Sequence, residues 1–279
     1  MTESIDITEP VESFQVTPEA AEMYEAAFVP AFFTQWASIL CEEAGISSGM
    51  HVLDVACGTG VVARVAADQV GPFGVVTGID LNAAMLTVAR RVRPDIDYRL
   101  GDAAALPVPD ASYDVVVSQM ALMFFPDQSK SLREMARVAK PGGTVAVLVP
   151  SDLGSQAVFG PFVAMAARHA GAAASSLLTS YFRCGDLHEL STTFEAAGLV
   201  PASSHNVQGT YRAPSVDAFV TTEVESTPLR ARISDQTYQA IRADACDVLA
   251  PFTASDGSVQ GPFETNLVVG RKPVQAVAP

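Results

Sequence analysis

The feature that most constrains this chain is an apolar strand that ends in an acid and leads into a tight glycine turn. The segment reads Val52-Leu53-Asp54-Val55-Ala56-Cys57-Gly58-Thr59-Gly60. Gly58 and Gly60 let the backbone approach a nucleotide-like ligand closely. A pyrophosphate prefers the bare amides of a helix N-terminus, with no negative charge nearby. Because Asp54 places a carboxylate just before the turn, the segment favours a ligand that carries ammonium or sulfonium charge.

Two more predicted strands also end in an acid. They read Val75-Val76-Thr77-Gly78-Ile79-Asp80 and Tyr98-Arg99-Leu100-Gly101-Asp102. In an open parallel sheet, ligands bind outside the carboxyl ends of the strands. We therefore expect Asp54, Asp80 and Asp102 to line one crevice. Asp80 also lies at the distance from the glycine turn at which a ribose-binding carboxylate occurs in βαβ units.

Strands and helices alternate along the first half of the chain. Apolar runs predict strands over 51–56, 74–79, 96–100, 113–118 and 144–149, with helices over 60–69, 82–91 and 128–139. This alternation predicts an α/β fold with a parallel sheet that is covered by helices on both faces. Before the first strand, five apolar residues recur every fourth position and predict one or two helices. They are Tyr24, Phe28, Phe32, Trp36 and Leu40.

The second half has a different character. Residues 152–180 are rich in Ala, Gly, Ser and Phe, and we interpret them as a helical insertion over the carboxyl edge of the sheet. Helices over 185–197, 215–223 and 233–249 and strands over 200–208 and 263–271 follow. The apolar residues of the insertion favour an apolar or aromatic ligand, although a dimer interface or ordinary core would use the same residues. They are Phe159, Phe162, Met165, Leu177, Leu178, Tyr181 and Phe182.

Composition argues against several classes of partner. The chain has 279 residues with 31 acidic and 17 basic side chains, a net charge of −14, so a nucleic-acid partner is disfavoured. No apolar run is long enough for a membrane helix, and Met1–Asp6 lack the features of a signal peptide. The four cysteines have no zinc-like spacing, so we expect no metal site, reduced thiols and a cytoplasmic location. They are Cys41, Cys57, Cys184 and Cys246.

Six motifs in order resemble the class I S-adenosylmethionine-dependent methyltransferases, in particular small-molecule enzymes of the ubiquinone/menaquinone-biosynthesis-like, type-11 kind. They are the segments 52–60, 78–85, 101–107, 113–119, 124–127 and 132–143. The match covers about residues 18–150 and implies a methyl transfer from S-adenosylmethionine to a small, apolar or aromatic acceptor.

The resemblance also implies an architecture. It is a single domain, 1–279, with a Rossmann-like, seven-stranded, mostly parallel, doubly wound sheet whose last strand is antiparallel. The expected parts are N-terminal cap helices (17–46), a cofactor-binding core (50–150), a helical lid insertion (151–184) and C-terminal helices with the last two strands (185–272). Residues 1–16 are expected to be flexible, and 273–279 to form a tail.

The resemblance assigns roles to individual residues. The Asp80 carboxylate would accept hydrogen bonds from both ribose hydroxyls, and Asp54 would contact the amino group of the methionine moiety. The turn residues Ala56, Gly58 and Gly60 would contribute backbone contacts. Adenine would lie against Leu81, Met85, Gly101, Asp102 and Ala103, while Ser118 and Gln119 would face the methionine end or the acceptor. Tyr24 would close the pocket, and Tyr24 and His169 are the candidate catalytic residues.

Several alternatives stay open at this point. Gly58-x-Gly60-x-x-Ala63 also satisfies the pattern of dinucleotide-dependent oxidoreductases. A non-methylating member of the fold, cyclase-like or regulatory, would keep the same binding motifs. Individual residues could also have purely structural roles: Asp54 or Asp80 as a helix cap, Asp102 in a turn and Met85 in helix packing. The sequence leaves a homodimer open.

Overall fold

The computed structural model describes residues 16–225, 227 and 229–274 and contains one seven-stranded sheet. Most of the predicted flexible start and the end of the predicted tail, 1–15 and 275–279, therefore lie outside the described residues. The strands are β1 (His51–Val55), β2 (Val75–Asp80), β3 (Asp97–Leu100), β4 (Tyr113–Gln119), β5 (Ala139–Pro150), β6 (Val200–Ala213) and β7 (Val259–Arg271).

The strand order is β3-β2-β1-β4-β5-β7-β6. The five strands from β3 to β5 pair in parallel, whereas β7 is antiparallel to both β5 and β6. The strand order reverses at β1: the chain adds β2 and β3 on one side of β1 and then β4 and β5 on the other side. This arrangement confirms the predicted α/β, doubly wound sheet with an antiparallel last strand, and it places the carboxyl ends of β1, β2 and β4 next to one another.

Helices connect and cover these strands. Before β1 lie α1 (Pro18–Met23), a π-helix (Tyr24–Phe33) and α2 (Thr34–Glu43). Within the parallel half lie α3 (Val61–Val70), α4 (Ala83–Val92) and α5 (Gln128–Val138). The later helices are α6 (Phe159–Ala170), α7 (Ala172–Ser180), α8 (Leu187–Ala196), α9 (Val216–Val220), α10 (Leu229–Arg232) and α11 (Asp235–Leu249). A second π-helical turn, Thr221–Glu225, follows α9.

The centre of the sheet is buried on both faces. Val115, Val116 and Val117 are consecutive on β4 and are each at most 1% exposed. Since consecutive strand residues point to opposite faces, helices must cover both sides. Trp36 and Leu40 of the predicted N-terminal helices are completely buried, so both side chains pack in the core.

The N-terminal helices are present, but ten of their residues form a π-helix rather than an α-helix. Pro30 lies inside this segment and has no N–H to donate, so a regular α-helical ladder is interrupted there. The Thr34 hydroxyl donates to the carbonyl of Val29, five residues earlier, at 2.8 Å. Long π-helices are rare, and the four-residue spacing of the aromatic residues could not indicate one.

The last two strands are longer than the sequence predicts. β7 pairs with β5 only from Thr265 onward, so its first residues and the end of β6 form a two-stranded ribbon beyond β5. Pro262 is tolerated there because β7 has a single neighbour at that position. Tyr211 and Phe263 of the ribbon contact Phe32 of the π-helix, with ring centroids 5.5 and 4.9 Å apart. The ribbon therefore joins the N-terminal helices to the C-terminal part of the domain.

The insertion after β5 is helical, as expected, and consists mainly of α6 and α7. Phe159 at the start of α6 packs against Tyr211 and Phe263 of the ribbon, at centroid distances of 5.1 and 5.4 Å. Among the helices of the described residues, none combines the length and apolarity that crossing a bilayer requires.

Candidate functional site

The turn after β1 has an unusual backbone. Ala56, Gly58 and Gly60 have φ values of 57°, 55° and 86°, a region that favours glycine and is uncommon for alanine. A Cβ on Gly60 would lie 2.3 Å from the hydroxyl oxygen of Tyr98, so this position requires glycine for space as well. A Cβ on Gly58 would meet nothing within 4 Å. The backbone at Gly58 therefore faces open space in which a ligand can approach it.

Asp54 lies beneath this turn. It is 1% exposed, and its Oδ2 accepts a hydrogen bond from the backbone N–H of Ala63 in the first turn of α3, at 3.0 Å. Burial raises the pKa of Asp54 to about 7, and the negative charge of Asp80 adds to that rise. A positively charged ligand group would favour the ionised carboxylate.

Asp80 ends β2 close to Asp54. Its Oδ2 accepts from the N–H of Gly58 at 2.7 Å, and its Oδ1 accepts from the N–H of Asn82 at 2.8 Å. Burial raises the pKa of Asp80. The cap of α4 is Asn82, whose Oδ1 accepts from two helix amides. Asp80 is thus not needed as the cap of α4, and its carboxylate contacts the glycine turn directly.

Asp102 differs from these two acids. Its side chain is exposed, and Oδ1 accepts from the N–H of Ala104 within a turn at 2.8 Å. Gly101 connects this turn to the crevice, since its N–H donates to the carbonyl of Asp80 at 3.0 Å. The structure therefore brings Asp54 and Asp80 together and places Asp102 at the rim. Of the three acids predicted to line one crevice, Asp54 and Asp80 form a buried pair, and Asp102 lies outside it.

The apolar residues predicted beside adenine lie near the same rim. Leu81 follows Asp80 and is 58% exposed, and Met85 in the first turn of α4 is partly exposed. Neither belongs to the hydrophobic core, so core packing does not account for Met85. Ala103, next to Asp102, packs against the core. Leu81 and Met85 offer an apolar surface beside the two acids.

Six buried side-chain polar atoms of the described residues have no hydrogen-bond partner, and three of them lie in the glycine turn or at the end of β4. These three are Oγ1 of Thr59 in the glycine turn, Oγ of Ser118 and Oε1 of Gln119 at the end of β4. The amide nitrogen of Gln119 donates to the carbonyl of Phe33 at 3.2 Å, which fixes the side chain against the π-helix. Buried polar atoms are normally paired. These three atoms fit a polar ligand, and the sequence analysis did not include Thr59.

The π-helix lies over the two acids. Burial raises the pKa of Tyr24, and the negative charges of Asp80, Glu25 and Asp54 add to that rise. The Tyr24 ring stacks on Phe28 at 5.8 Å and lies 5.0 Å from Phe33, centroid to centroid. Tyr24 therefore packs within the aromatic part of the π-helix, and both its predicted covering role and its chemical role stay predictions.

An ion pair connects this cover to the glycine turn. Glu25 Oε1 lies 3.0 Å from an Arg64 nitrogen, and both side chains are less than one-fifth exposed. Arg64 also donates to the carbonyl of Thr59 at 2.7 Å. The π-helix is thereby held over the turn by a partly buried, charge-assisted contact.

His169 lies near the end of α6, and its Nε2 is 2.7 Å from the Asp244 carboxylate on α11. This partly exposed contact joins two helices of the C-terminal half. The contact of His169 with Asp244 therefore links two helices, and its predicted part in catalysis stays a prediction. The four cysteines are free, and Cys57 in the turn is buried with its pKa raised, so it is a poor nucleophile.

A buried acid in the C-terminal half was missed by the sequence analysis. Glu223 is 8% exposed and lies in the π-helical turn after α9. Its sequence neighbourhood, Thr221-Thr222-Glu223-Val224-Glu225, reads as an ordinary polar helix end. Whether Glu223 or Glu225 is buried depends on the π-helical geometry of this turn. No local signal in the sequence indicates that geometry.

Comparison with known proteins agrees with this geometry. A family model described as a methyltransferase domain matches residues 53–147. The demethylmenaquinone methyltransferase of Renibacterium salmoninarum is 41% identical over 129 residues, which are 46% of this chain and 51% of that protein. The chain thus matches about half the length of this curated relative, and the match extends over less than half of the chain itself.

Solved structures resemble the fold more broadly. One is a Haemonchus contortus phosphoethanolamine N-methyltransferase 2 bound to S-adenosyl-L-methionine, with a TM-score of 0.56, 20% identity, and coverage of 94% of this chain and 59% of that one. Another is the [4+2]-cyclase SpnF, with a TM-score of 0.54, 23% identity, and coverage of 86% and 81%. At these identities the two structures support the fold alone.

Proposed function

We propose that the chain uses residues 53–147, which match a methyltransferase-domain family model, to transfer a methyl group from S-adenosylmethionine to a small, apolar or aromatic molecule. The observation that carries the proposal is the pair Asp54 and Asp80 beneath an open glycine turn. Two carboxylates are unsuited to a phosphate and suited to hydroxyl and ammonium groups.

The polar residues of the crevice match the polar parts of this cofactor. Asp80 would accept hydrogen bonds from the two ribose hydroxyls. Asp54, Ser118 and Gln119 would bind the amino-acid end, since Ser118 and Gln119 carry buried atoms without a protein partner. Thr59 is added to this group for the same reason.

The apolar and backbone contacts complete the site. Leu81 and Met85 would flank adenine, with Asp102 and Ala103 at its edge beside Gly101. The backbone of Ala56, Gly58 and Gly60 would pass close to the cofactor, and Tyr24 would cover it. The fit is favourable because the open space at Gly58 and the exposed apolar surface at Leu81 lie on either side of Asp80.

The cofactor, when bound, supplies a methyl group already activated by sulfonium charge. The protein must hold an acceptor in line with that group and exclude water. The π-helix performs the second task in this proposal, because Tyr24 covers the acids and Glu25 is joined to Arg64. A proton must leave the acceptor when the reacting atom carries one.

The geometry disfavours a dinucleotide. The buried Asp54 carboxylate already accepts the hydrogen bond of a backbone N–H in the first turn of α3, and a pyrophosphate would need the amides of that turn. A non-methylating function on the same fold stays an alternative that the fold alone cannot distinguish. The proposal also includes a reducing, cytoplasmic compartment, supported by the four free thiols, and no nucleic-acid partner, supported by the net charge of −14. A homodimer stays a prediction.

A label-transfer experiment tests the activity. The protein is incubated with S-adenosylmethionine carrying a labelled methyl group and with a panel of small phenols, quinols and amines. We expect label in at least one aromatic product, and loss of that transfer in Asp80→Asn but not in Asp97→Asn, an exposed acid on β3. Binding of the cofactor without label in any product would favour the non-methylating alternative, and preferential binding of NADH would overturn the proposal.

A further inference from the structure

Glu223 is a buried acid that the cofactor site does not use. It is 8% exposed, and among the buried residues of the described chain the only other carboxylate is Asp54. Burying a carboxylate without a cation is unfavourable. The interaction that favours its charged form is one hydrogen bond, donated by the Tyr211 hydroxyl to Oε1 at a long 3.3 Å. The core therefore retains a poorly compensated acid.

The surroundings of Glu223 are mostly aromatic. Tyr211 of β6 lies 5.2 Å from Phe219 of α9 and 5.1 Å from Phe159 of α6, centroid to centroid. Burial raises the pKa of Tyr181, the residue after α7, and the negative charge of Glu223 adds to that rise. Glu223, Tyr211 and Tyr181 thus form a polar group set in aromatic walls, which we call the Glu223 cluster.

The Glu223 cluster is connected to the cofactor crevice by two ring contacts. The Tyr181 ring meets the edge of Phe124 at 5.5 Å, and Phe124 lies in the short helix that follows β4 and Gln119. On the other side, Tyr211 lies 5.5 Å from Phe32 of the π-helix. The next residue, Phe33, accepts the hydrogen bond from Gln119. The cluster therefore lies on the side of the crevice where β4 ends.

We propose that the Glu223 cluster is the polar end of the acceptor site, and that Glu223 takes the proton from a small aromatic acceptor that bears an ionisable hydroxyl. This inference rests on the proposed methyltransferase function. In the step, a bond forms between the acceptor atom and the methyl carbon, and the bond from that carbon to sulfur breaks. The sulfur leaves as a neutral thioether, and the acceptor proton passes to a Glu223 oxygen. The charge balances, since one sulfonium cation and one carboxylate are both neutralised.

The protonation behaviour of Glu223 suits this role. Burial raises its pKa to about 7, close to neutral pH. A general base is most effective when its pKa is near the working pH. The ionisable groups that face it are Tyr211 and Tyr181, both of which stay protonated because burial and Glu223 raise their pKa values. Neither tyrosine competes with it as a base.

The test uses 4-nitrophenol, whose anion absorbs visible light and which ionises near neutrality, added to the protein saturated with S-adenosylhomocysteine. If Glu223 lies against the hydroxyl, the phenol and the carboxyl share one proton as a coupled pair. We expect the bound phenol to titrate at least about one pH unit above the free phenol. In Glu223→Gln the bound phenol should titrate at a clearly lower pH than in wild type, because only the shift caused by burial remains. In the matched control Glu225→Gln, an exposed acid on the same turn, the full shift should persist.

Calorimetric titration of the same variants with S-adenosylhomocysteine separates this inference from the proposed function. Unchanged heats show that cofactor binding is intact, so a reduced shift then locates the effect at the acceptor. The inference is overturned if 4-nitrophenol does not bind the wild-type complex, or if Glu223→Gln keeps the full shift.

If Glu223→Gln does not fold, Tyr211→Phe provides a second test. Removing the donated hydrogen bond destabilises the carboxylate, so the titration midpoint of the coupled pair should move to higher pH. An unchanged midpoint would contradict the inference.

Discussion

At the scale of single residues, two acids at adjacent strand ends have different environments. Asp54 is buried, and its carboxylate accepts a hydrogen bond from a backbone N–H of α3. The Asp80 carboxylate accepts a hydrogen bond from the Gly58 N–H, and Asp80 precedes the exposed Leu81 in the chain. A ligand can therefore contact Asp80 directly and replace its hydrogen bonds, whereas the enclosed Asp54 interacts with a ligand mainly through its charge. We expect substitution of Asp80 to affect binding more than folding.

Asp80→Asn should weaken binding of S-adenosylhomocysteine about 10- to 100-fold, since hydrogen bonds to a charged group contribute about 1.5–3 kcal/mol. Calorimetric titration measures this change. The matched control is Asp97→Asn, which alters an exposed acid paired with Arg99 on β3 and should leave the affinity unchanged. Equal affinities for wild type and Asp80→Asn would exclude a ribose contact by this residue.

Glu223 should make stability depend on pH. Its pKa is raised from 4.5 to about 7, so between these values the folded state keeps a proton that the unfolded state has lost. Stability from this group is therefore fully present below pH 4.5 and decreases as the pH rises to about 7. Glu223→Gln cannot lose that proton, so its free energy of unfolding relative to wild type should rise by up to about 3 kcal/mol across this window.

Urea unfolding at pH 4.5, 6 and 8 measures the difference between Glu223→Gln and wild type. Because Asp54 is present in both proteins, its own titration cancels. The exposed Glu225→Gln variant should show no such trend. A difference between Glu223→Gln and wild type that is independent of pH would mean that Glu223 has an ordinary pKa in solution.

At the scale of elements, the turn between β1 and α3 contains two glycines with different requirements. Gly60 is closely packed against Tyr98, and Gly58 borders open space. Both have positive φ, so alanine is strained at either position. The surrounding space, however, predicts that the two substitutions will affect different properties of the protein.

Gly60→Ala should destabilise the fold by about 2–4 kcal/mol, because overpacking adds to backbone strain. Gly58→Ala should cost only about 1 kcal/mol of stability but should abolish cofactor binding, because its methyl group would occupy the ligand space. Gly45→Ala, with a φ of 71° and nothing near its Cβ, is the control for strain alone. Thermal unfolding and calorimetric titration of the three variants check the assignment. Normal cofactor affinity in Gly58→Ala would contradict it.

The π-helix is the element that covers the crevice. Tyr24→Ala removes a ring that stacks on Phe28 and Phe33, so S-adenosylhomocysteine should dissociate about tenfold faster, in line with the contribution of aromatic packing. Tyr24→Phe keeps the ring and should leave the rate nearly unchanged if the hydroxyl has no role. Stopped-flow displacement measures both rates, with Phe73→Ala, an 85% exposed ring after α3, as the control. Dissociation from Tyr24→Phe as fast as from Tyr24→Ala would assign the effect to the hydroxyl and contradict the role of the ring.

At the scale of the whole molecule, the parallel half could be predicted from sequence because its signals are local. Apolar runs such as Val115–Val117 have to be buried on both faces, and the glycine turn with Asp54 fixes the start of α3. Strand and helix boundaries over 51–149 agree with the prediction to within one or two residues, except at β5. That strand begins at Ala139, although Pro141 and Gly142 indicate a turn.

The remainder depends on long-range contacts that a single sequence does not contain. The π-helix forms around Pro30, and the extension of β6 and β7 depends on their pairing with each other beyond β5. The burial of Glu223 depends on Tyr211, which is twelve residues away and on another element. The candidate cofactor residues were therefore accessible to sequence reasoning, whereas the candidate acceptor residue was not.

The central claim is that the acids at the ends of β1 and β2 hold the polar parts of a sulfonium cofactor. A crystal structure of the protein with S-adenosylhomocysteine tests it most directly. The account predicts the ribose hydroxyls within hydrogen-bond distance of Asp80, the amino group near Asp54 and Gln119, and adenine beside Leu81. A crevice that stays vacant at saturating ligand, or a nucleoside bound away from Asp80, would contradict it.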